Sequence, residues 1–67
     1  MIVRLDVLAI KKMMAEKRLT NAATARLMGI SPQAFSAAMG RGTFTHINAA
    51  LLADALGVEY EDVQKGE

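Results

Sequence analysis

The sequence predicts an all-α fold, a single compact domain of four to five short helices spanning residues 1–67. Three observations predict it. Ala, Leu, Met and Lys, all good helix formers, dominate the chain. Five glycines and one proline stand between the apolar stretches as stop signals. No alternation of apolar and polar residues runs far enough for a convincing strand. A chain this short builds one small core, and domains of that size are often steadied by oligomerisation.

The opening MIVRL reads as a short extended start. A first helix then runs from about Asp6 to Arg18, with Asp6 as its cap. Ile10, Met13 and Met14 recur at helical spacing and are expected in the core. Thr20 caps a second helix, NAATARLM, which Gly29 stops. Its inner face is Thr24, Ala25 and Met28. Ser31 caps a third helix, with Pro32 at the first helical position, where no amide donor is needed. Phe35, Ala38 and Met39 form its buried stripe, and Gly40 is expected to end it.

GRGTF, Gly40 to Phe44, reads as a loop. Thr45 caps a fourth helix, HINAALLADAL, that closes at Gly57. Ala49, Leu52, Ala53 and Leu56 are its inner stripe. VEYEDVQ adds a final turn docked by Val58, Tyr60 and Val63.

Composition narrows the chemistry. Cysteine is absent, which excludes disulfides and thiolate metal sites. His46 is the only histidine, and a packing or capping role is expected for it. There is no Ser/His/Asp set, no phosphate-binding glycine loop and no metal-ligand spacing, so no enzyme, cofactor or metal is expected. No apolar run approaches the ~18 residues of a membrane span. The N-terminal stretch lacks the pattern of a signal peptide, and a cytoplasmic location is expected.

Charge is divided along the chain. Residues 1–44 carry seven Lys and Arg against two Asp and Glu, a net +5. Residues 45–67 carry one against five, a net −4. A basic part joined to an acidic part implies two surfaces with different partners. Lys11 and Lys12 read as a solvated face.

The second and third helices, joined by Gly29-Ile30-Ser31, have the length and sharp junction of a helix-turn-helix unit. Ala25 is small where the two must approach closely, and Ile30 can pin the turn. LTNAATARLMGISPQAFSAAM followed by LLADALGVEYEDV resembles the Cro/C1-type, λ-repressor-like helix-turn-helix family over roughly Leu8 to Val63. That resemblance implies five helices, dimeric binding to near-palindromic operators, and transcription control, commonly repression, in a bacterium, phage or mobile element. Asn21 stands where the family commonly has Gln, and Thr24 where it commonly has Leu. The outer face of the third helix carries no charge where the family often has Arg, Lys or Glu.

In this reading the third helix enters the major groove of double-stranded DNA, with Gln33, Ser36 and Ala37 as base contacts. Gln offers a donor and an acceptor together, which suits the N6/N7 edge of adenine. Ser bonds either kind of edge, and Ala touches a thymine methyl. Thr20, Asn21, Ser31, Arg41 and Thr43 are candidate phosphate contacts, with Lys17, Arg18 and Arg26 behind them. Leu27, Leu51, Tyr60 and Val63 are the candidate surface for a homodimer or another protein partner. The alternative function is a protein-interaction module on the same fold, such as an anti-repressor or an antitoxin.

Overall fold

The computed structural model describes residues 1–66. In chain order they form β1 (Ile2–Arg4), α1 (Val7–Glu16), α2 (Asn21–Met28), α3 (Pro32–Arg41), β2 (Thr43–Thr45), α4 (His46–Leu56) and α5 (Tyr60–Val63). The architecture is mostly helical, as the composition predicts.

Each helix of two or more turns starts on a side-chain cap. The Asp6 carboxylate accepts from the Ala9 N–H at 3.1 Å. Thr20, Ser31 and Thr45 accept through their hydroxyl oxygens from Ala23, Ala34 and Asn48 at 3.0, 3.0 and 3.2 Å. Each of these bonds satisfies one of the amide donors that a helix start leaves without an intrahelical partner. The short α5 is fixed from both sides by a capping box between Glu59 and Asp62.

The expectation of an all-α fold needs correcting. β1 and β2 form a two-stranded antiparallel sheet with Ile2 opposite Thr45, Val3 opposite Phe44 and Arg4 opposite Thr43. The stretch read as the GRGTF loop is therefore the last residues of α3, a glycine turn and the start of β2. Each strand spans three residues, too few for a period of two to show. The C-terminal segment closes the far side of β1. The Asp6 N–H donates to the Val63 carbonyl at 2.9 Å, and the Lys65 N–H donates to the Arg4 carbonyl at 2.8 Å. The chain's start is thus held between residues 42–45 and residues 63–65.

Two helix ends also differ from expectation. α1 stops at Glu16, and Arg18 just beyond it adopts a left-handed φ of 56°. Its N–H donates to Ala15 O, and that of Leu19 donates to Met14 O, which closes the helix as a glycine would. α3 does not end at Gly40. It runs on to Arg41 and caps at Gly42, whose φ is 77° and whose N–H donates to Ala38 O at 2.7 Å. The left-handed residue needs to be glycine at Gly42, whereas Gly40 sits inside the helix.

The core is the inner stripe of every helix together with the inward strand residues. Ile10, Met14, Ala25, Met28, Phe35, Ala38, Met39, Ala49, Leu52, Ala53 and Leu56 are buried as their spacing predicts, and Met13 is half-buried against them. Val3, Leu5 and Phe44 join from the sheet. The Phe35 and Phe44 rings lie with centroids 6.2 Å apart and tilted by 53°. Full burial of a large side chain such as Phe35, Ile10 or Leu52 contributes about 1.5–3 kcal/mol each. Among the described residues Thr24 is the one buried polar residue, and its hydroxyl donates to the Thr20 carbonyl at 2.9 Å. That bond lets a hydroxyl occupy an otherwise apolar position.

Val63 corrects a second expectation. Its side chain has no exposed area, so it belongs to the core and cannot form part of a partner surface. α5 is tied down at both of its ends, by the capping box and by the Val63 carbonyl bond to Asp6, and the Val63 side chain fills the interior between α4 and α1.

Candidate functional site

α2 and α3 pack directly on one another, with Ala25 and Phe35 fully buried on their inner faces. The turn between them is short. Gly29 adopts a φ of 79°, and the Ile30 N–H donates back to Ala25 O at 3.0 Å. Ile30 is half-buried against the core. This hydrogen-bonded turn, with Ser31 already serving as the next cap, sets the angle at which α3 leaves α2.

Gln33, Ser36 and Ala37 are all exposed. They lie at i, i+3 and i+4 on α3, opposite the buried Phe35, Ala38 and Met39, and so share one outward face. Gly40 completes that face at i+7, although as a local stop signal it predicts the end of the helix. A Cβ at Gly40 would meet nothing within 4 Å, so packing does not require a glycine there. The spacing 33, 37, 40 was the available signal. With Gly40 included, the outward side of α3 carries one amide, one hydroxyl, one methyl and bare backbone over nearly two turns.

Polar groups flank both ends of this face. At one side the start of α2 reaches it. The Asn21 Nδ2 donates to the Ser36 hydroxyl at 3.4 Å, which brings Asn21 and Ser36 together although they are 15 residues apart. Asn21, one methylene shorter than Gln, still spans the gap. Thr20 precedes it as the exposed α2 cap. Thr20 and Ser31 each use an oxygen lone pair for capping, which leaves the hydroxyl proton free to donate outward. At the other side Arg41, the last residue of α3, donates from Nε to the Thr43 hydroxyl at 3.4 Å. The guanidinium is held by one of its five donors and keeps the rest.

The remaining candidates sit elsewhere. Lys17, Arg18 and Arg26 are exposed. Leu27 on α2 is 60 % exposed and Leu51 on α4 is 36 % exposed. Tyr60 is half-buried, with its hydroxyl 2.8 Å from His46 Nδ1. His46 therefore joins the start of α4 to α5 through a polar bond. Ile47, 74 % exposed on the same helix as Leu51, is an apolar surface residue that sequence reasoning passed over. Its signal was the 47, 50, 51, 54 spacing on the side opposite the core stripe.

No pocket opens among the described residues. No helix of the described residues is long and apolar enough to cross a membrane. Comparison of the chain with family models, with curated proteins and with solved structures gives no match.

Proposed function

We propose that this protein is a sequence-specific DNA-binding regulator, a small repressor of bacterial, phage or mobile-element type, whose α2–turn–α3 acts as a λ-repressor-like helix-turn-helix. α3 enters the major groove, and Gln33, Ser36 and Ala37 face the base edges. One observation carries this reading: an exposed helix face of short polar and small residues, set at its angle by a packed neighbour and flanked at both ends by phosphate-type donors. A face without long side chains lets the helix axis approach the bases closely. Affinity then comes from the flanks, where Thr20, Asn21, Ser31, Arg41 and Thr43 address phosphates. Thr43 is half-buried and contributes through its bond to Arg41. One such unit reads a short half-site, so an operator of two half-sites calls for two copies of the chain.

The test is selection from a random DNA pool at two salt concentrations. A regulator of this kind retains a defined sequence at low salt and loses affinity as salt rises, because each neutralised phosphate releases counterions. No retention at low salt favours the second reading, a protein-interaction module. That reading is supported by exposed Leu27, Ile47 and Leu51, which are large and apolar on a very small protein.

A further inference from the structure

We infer that β1 and the segment after α5 build a second phosphate-binding row, in which Arg4 and Lys65 continue the grip of Arg41 and Thr43 along the sugar-phosphate backbone of DNA beyond the end of α3. The inference rests on the proposed function and adds to it two contacts that no helix supplies.

The row follows from strand register. Thr43 stands directly opposite Arg4. On the other side of β1, Leu5 pairs with Gln64, and the Lys65 N–H donates to the Arg4 carbonyl at 2.8 Å, which sets Lys65 directly opposite Arg4. Val3 and Leu5 are buried in the core, so Arg4 between them points outward. Residues directly opposite on paired strands share a face. Lys65, Arg4 and Thr43 therefore form one line across three segments, ~10 Å long at the usual strand spacing. Arg41 joins the end of that line, where its Nε donates to the Thr43 hydroxyl at 3.4 Å. Arg41 follows Ala37 by four residues, so the line starts on the outward side of α3.

What the row carries indicates its ligand. It holds three exposed cations and one hydroxyl, whose oxygen accepts from Arg41 and whose proton is free to donate. Ile2 and Thr45, its neighbours on the same face of the two strands, are uncharged. The Asp6 carboxylate, two residues beyond Arg4, is engaged by the Ala9 N–H at 3.1 Å. Like charges directly opposite on a sheet are destabilising, so the Arg4–Lys65 pairing works against folding until an anion lies beside it. A line of cations spaced by strand separation fits a ligand that is itself a line of charges, and the phosphates of one DNA strand are such a line. Lys65 is the one Lys or Arg of residues 45–67, against five Asp and Glu. Pairing with β1 brings it beside Arg4 although its neighbours in sequence are acidic.

The test is fluorescence anisotropy of the full chain over a range of salt, with a duplex selected from random DNA and with a scrambled duplex. Arg4→Gln and Lys65→Gln are each expected to weaken binding to both duplexes alike and to lower the salt slope by about one per copy bound. Arg4→Lys is expected to keep the parent slope. Lys11→Gln and Lys12→Gln remove the same charge from exposed positions on α1 and are expected to keep it as well. Without DNA, Arg4→Gln and Lys65→Gln are expected to retain the helical circular dichroism of the parent, so that lost binding is not lost fold. Parent slopes in Arg4→Gln and Lys65→Gln overturn the inference and leave the reading by α3 standing. Slopes lowered equally by Lys11→Gln and Lys12→Gln also overturn it, because net charge alone then sets the affinity. A parent protein that binds neither duplex overturns the DNA reading and this inference with it.

Discussion

α3 and α4 are close in length, at 10 and 11 residues, and both present outward faces that are nearly free of charge. They are plain in different ways. The face of α3 is built of an amide, a hydroxyl, a methyl and a glycine, flanked by Asn21 at one side and Arg41 at the other. The face of α4 is built of Ile47, Ala50 and Leu51, with one carboxylate. The first offers short hydrogen-bonding groups and room to approach, which suits a partner whose surface is itself a pattern of donors and acceptors. The second offers dry area and no pattern, which suits another apolar surface. Absence of charge alone therefore does not identify a partner. The size and polarity of what replaces the charge do.

The largest effect expected from breaking this comparison is on the core beneath both faces. Phe35→Ala empties the middle of the packing under α3 and is expected to cost about 3–5 kcal/mol, close to the whole stability of a small domain. Leu52→Ala under α4 is expected to cost about 2–5 kcal/mol. Urea unfolding followed by circular dichroism measures both. A cost under about 1 kcal/mol for either contradicts the burial of these side chains.

The next effect separates the faces by function. Gln33→Ala is expected to weaken binding to a selected operator by about 1–3 kcal/mol, with melting unchanged, since the side chain is exposed. Arg41→Ala is expected to weaken binding to all sequences alike and to lower the salt slope by about one per copy bound. Fluorescence anisotropy at several salt concentrations distinguishes the two. If both variants bind as the parent does, α3 is not the reading surface.

A third pair of variants tests the boundary of the α3 face. Gly42→Ala forces a side chain into φ 77° and is expected to destabilise by about 1–2 kcal/mol, with no steric contribution, since the nearest atom to the added Cβ is 3.9 Å away. Gly40→Ala lies inside the helix and faces open space, so it is expected to stabilise by about 0.5–1 kcal/mol. Thermal melts give both signs. A destabilised Gly40→Ala places the helix end where the sequence first indicates it. The smallest effect concerns α4. Ile47→Ser is expected to change the folding stability of dilute monomer by no more than about 0.5 kcal/mol.

How much of this was legible follows from how local each cause is. Asp6, Thr20, Ser31 and Thr45 cap through bonds to residues three positions on, so the sequence near them contains both partners. The inner stripes of α2, α3 and α4 were legible for the same reason, because helical periodicity repeats within one turn. Gly40 and Gly42 were confused because two glycines flank Arg41 and either satisfies a local stop signal. The choice between them is made by where the chain must turn into β2. The sheet was not legible, since Ile2–Arg4 and Thr43–Thr45 are paired only by tertiary structure across some forty residues. Val63 carries two expectations from the sequence, docking of the final turn and part of a partner surface, and its burial fits only the first. Its burial comes from the Asp6 and Lys65 bonds that fold the C-terminal segment against β1. Of the candidate site, the shared exposure of Gln33, Ser36 and Ala37 was legible from helix phase. The reach of Asn21 to Ser36 depended on the packing angle of α2 against α3, and that of Arg41 to Thr43 on the extension of α3 through Gly40 to Arg41.

The central claim is that the small polar face of α3 lies against base edges. The most direct measurement takes an operator selected from random DNA, substitutes each base pair in turn, and compares the binding profile of the parent protein with that of Gln33→Ala. The account predicts that Gln33→Ala loses discrimination at one A·T pair in each half-site and keeps it at every other position. A profile that is uniformly weakened, or unchanged at every position, contradicts it.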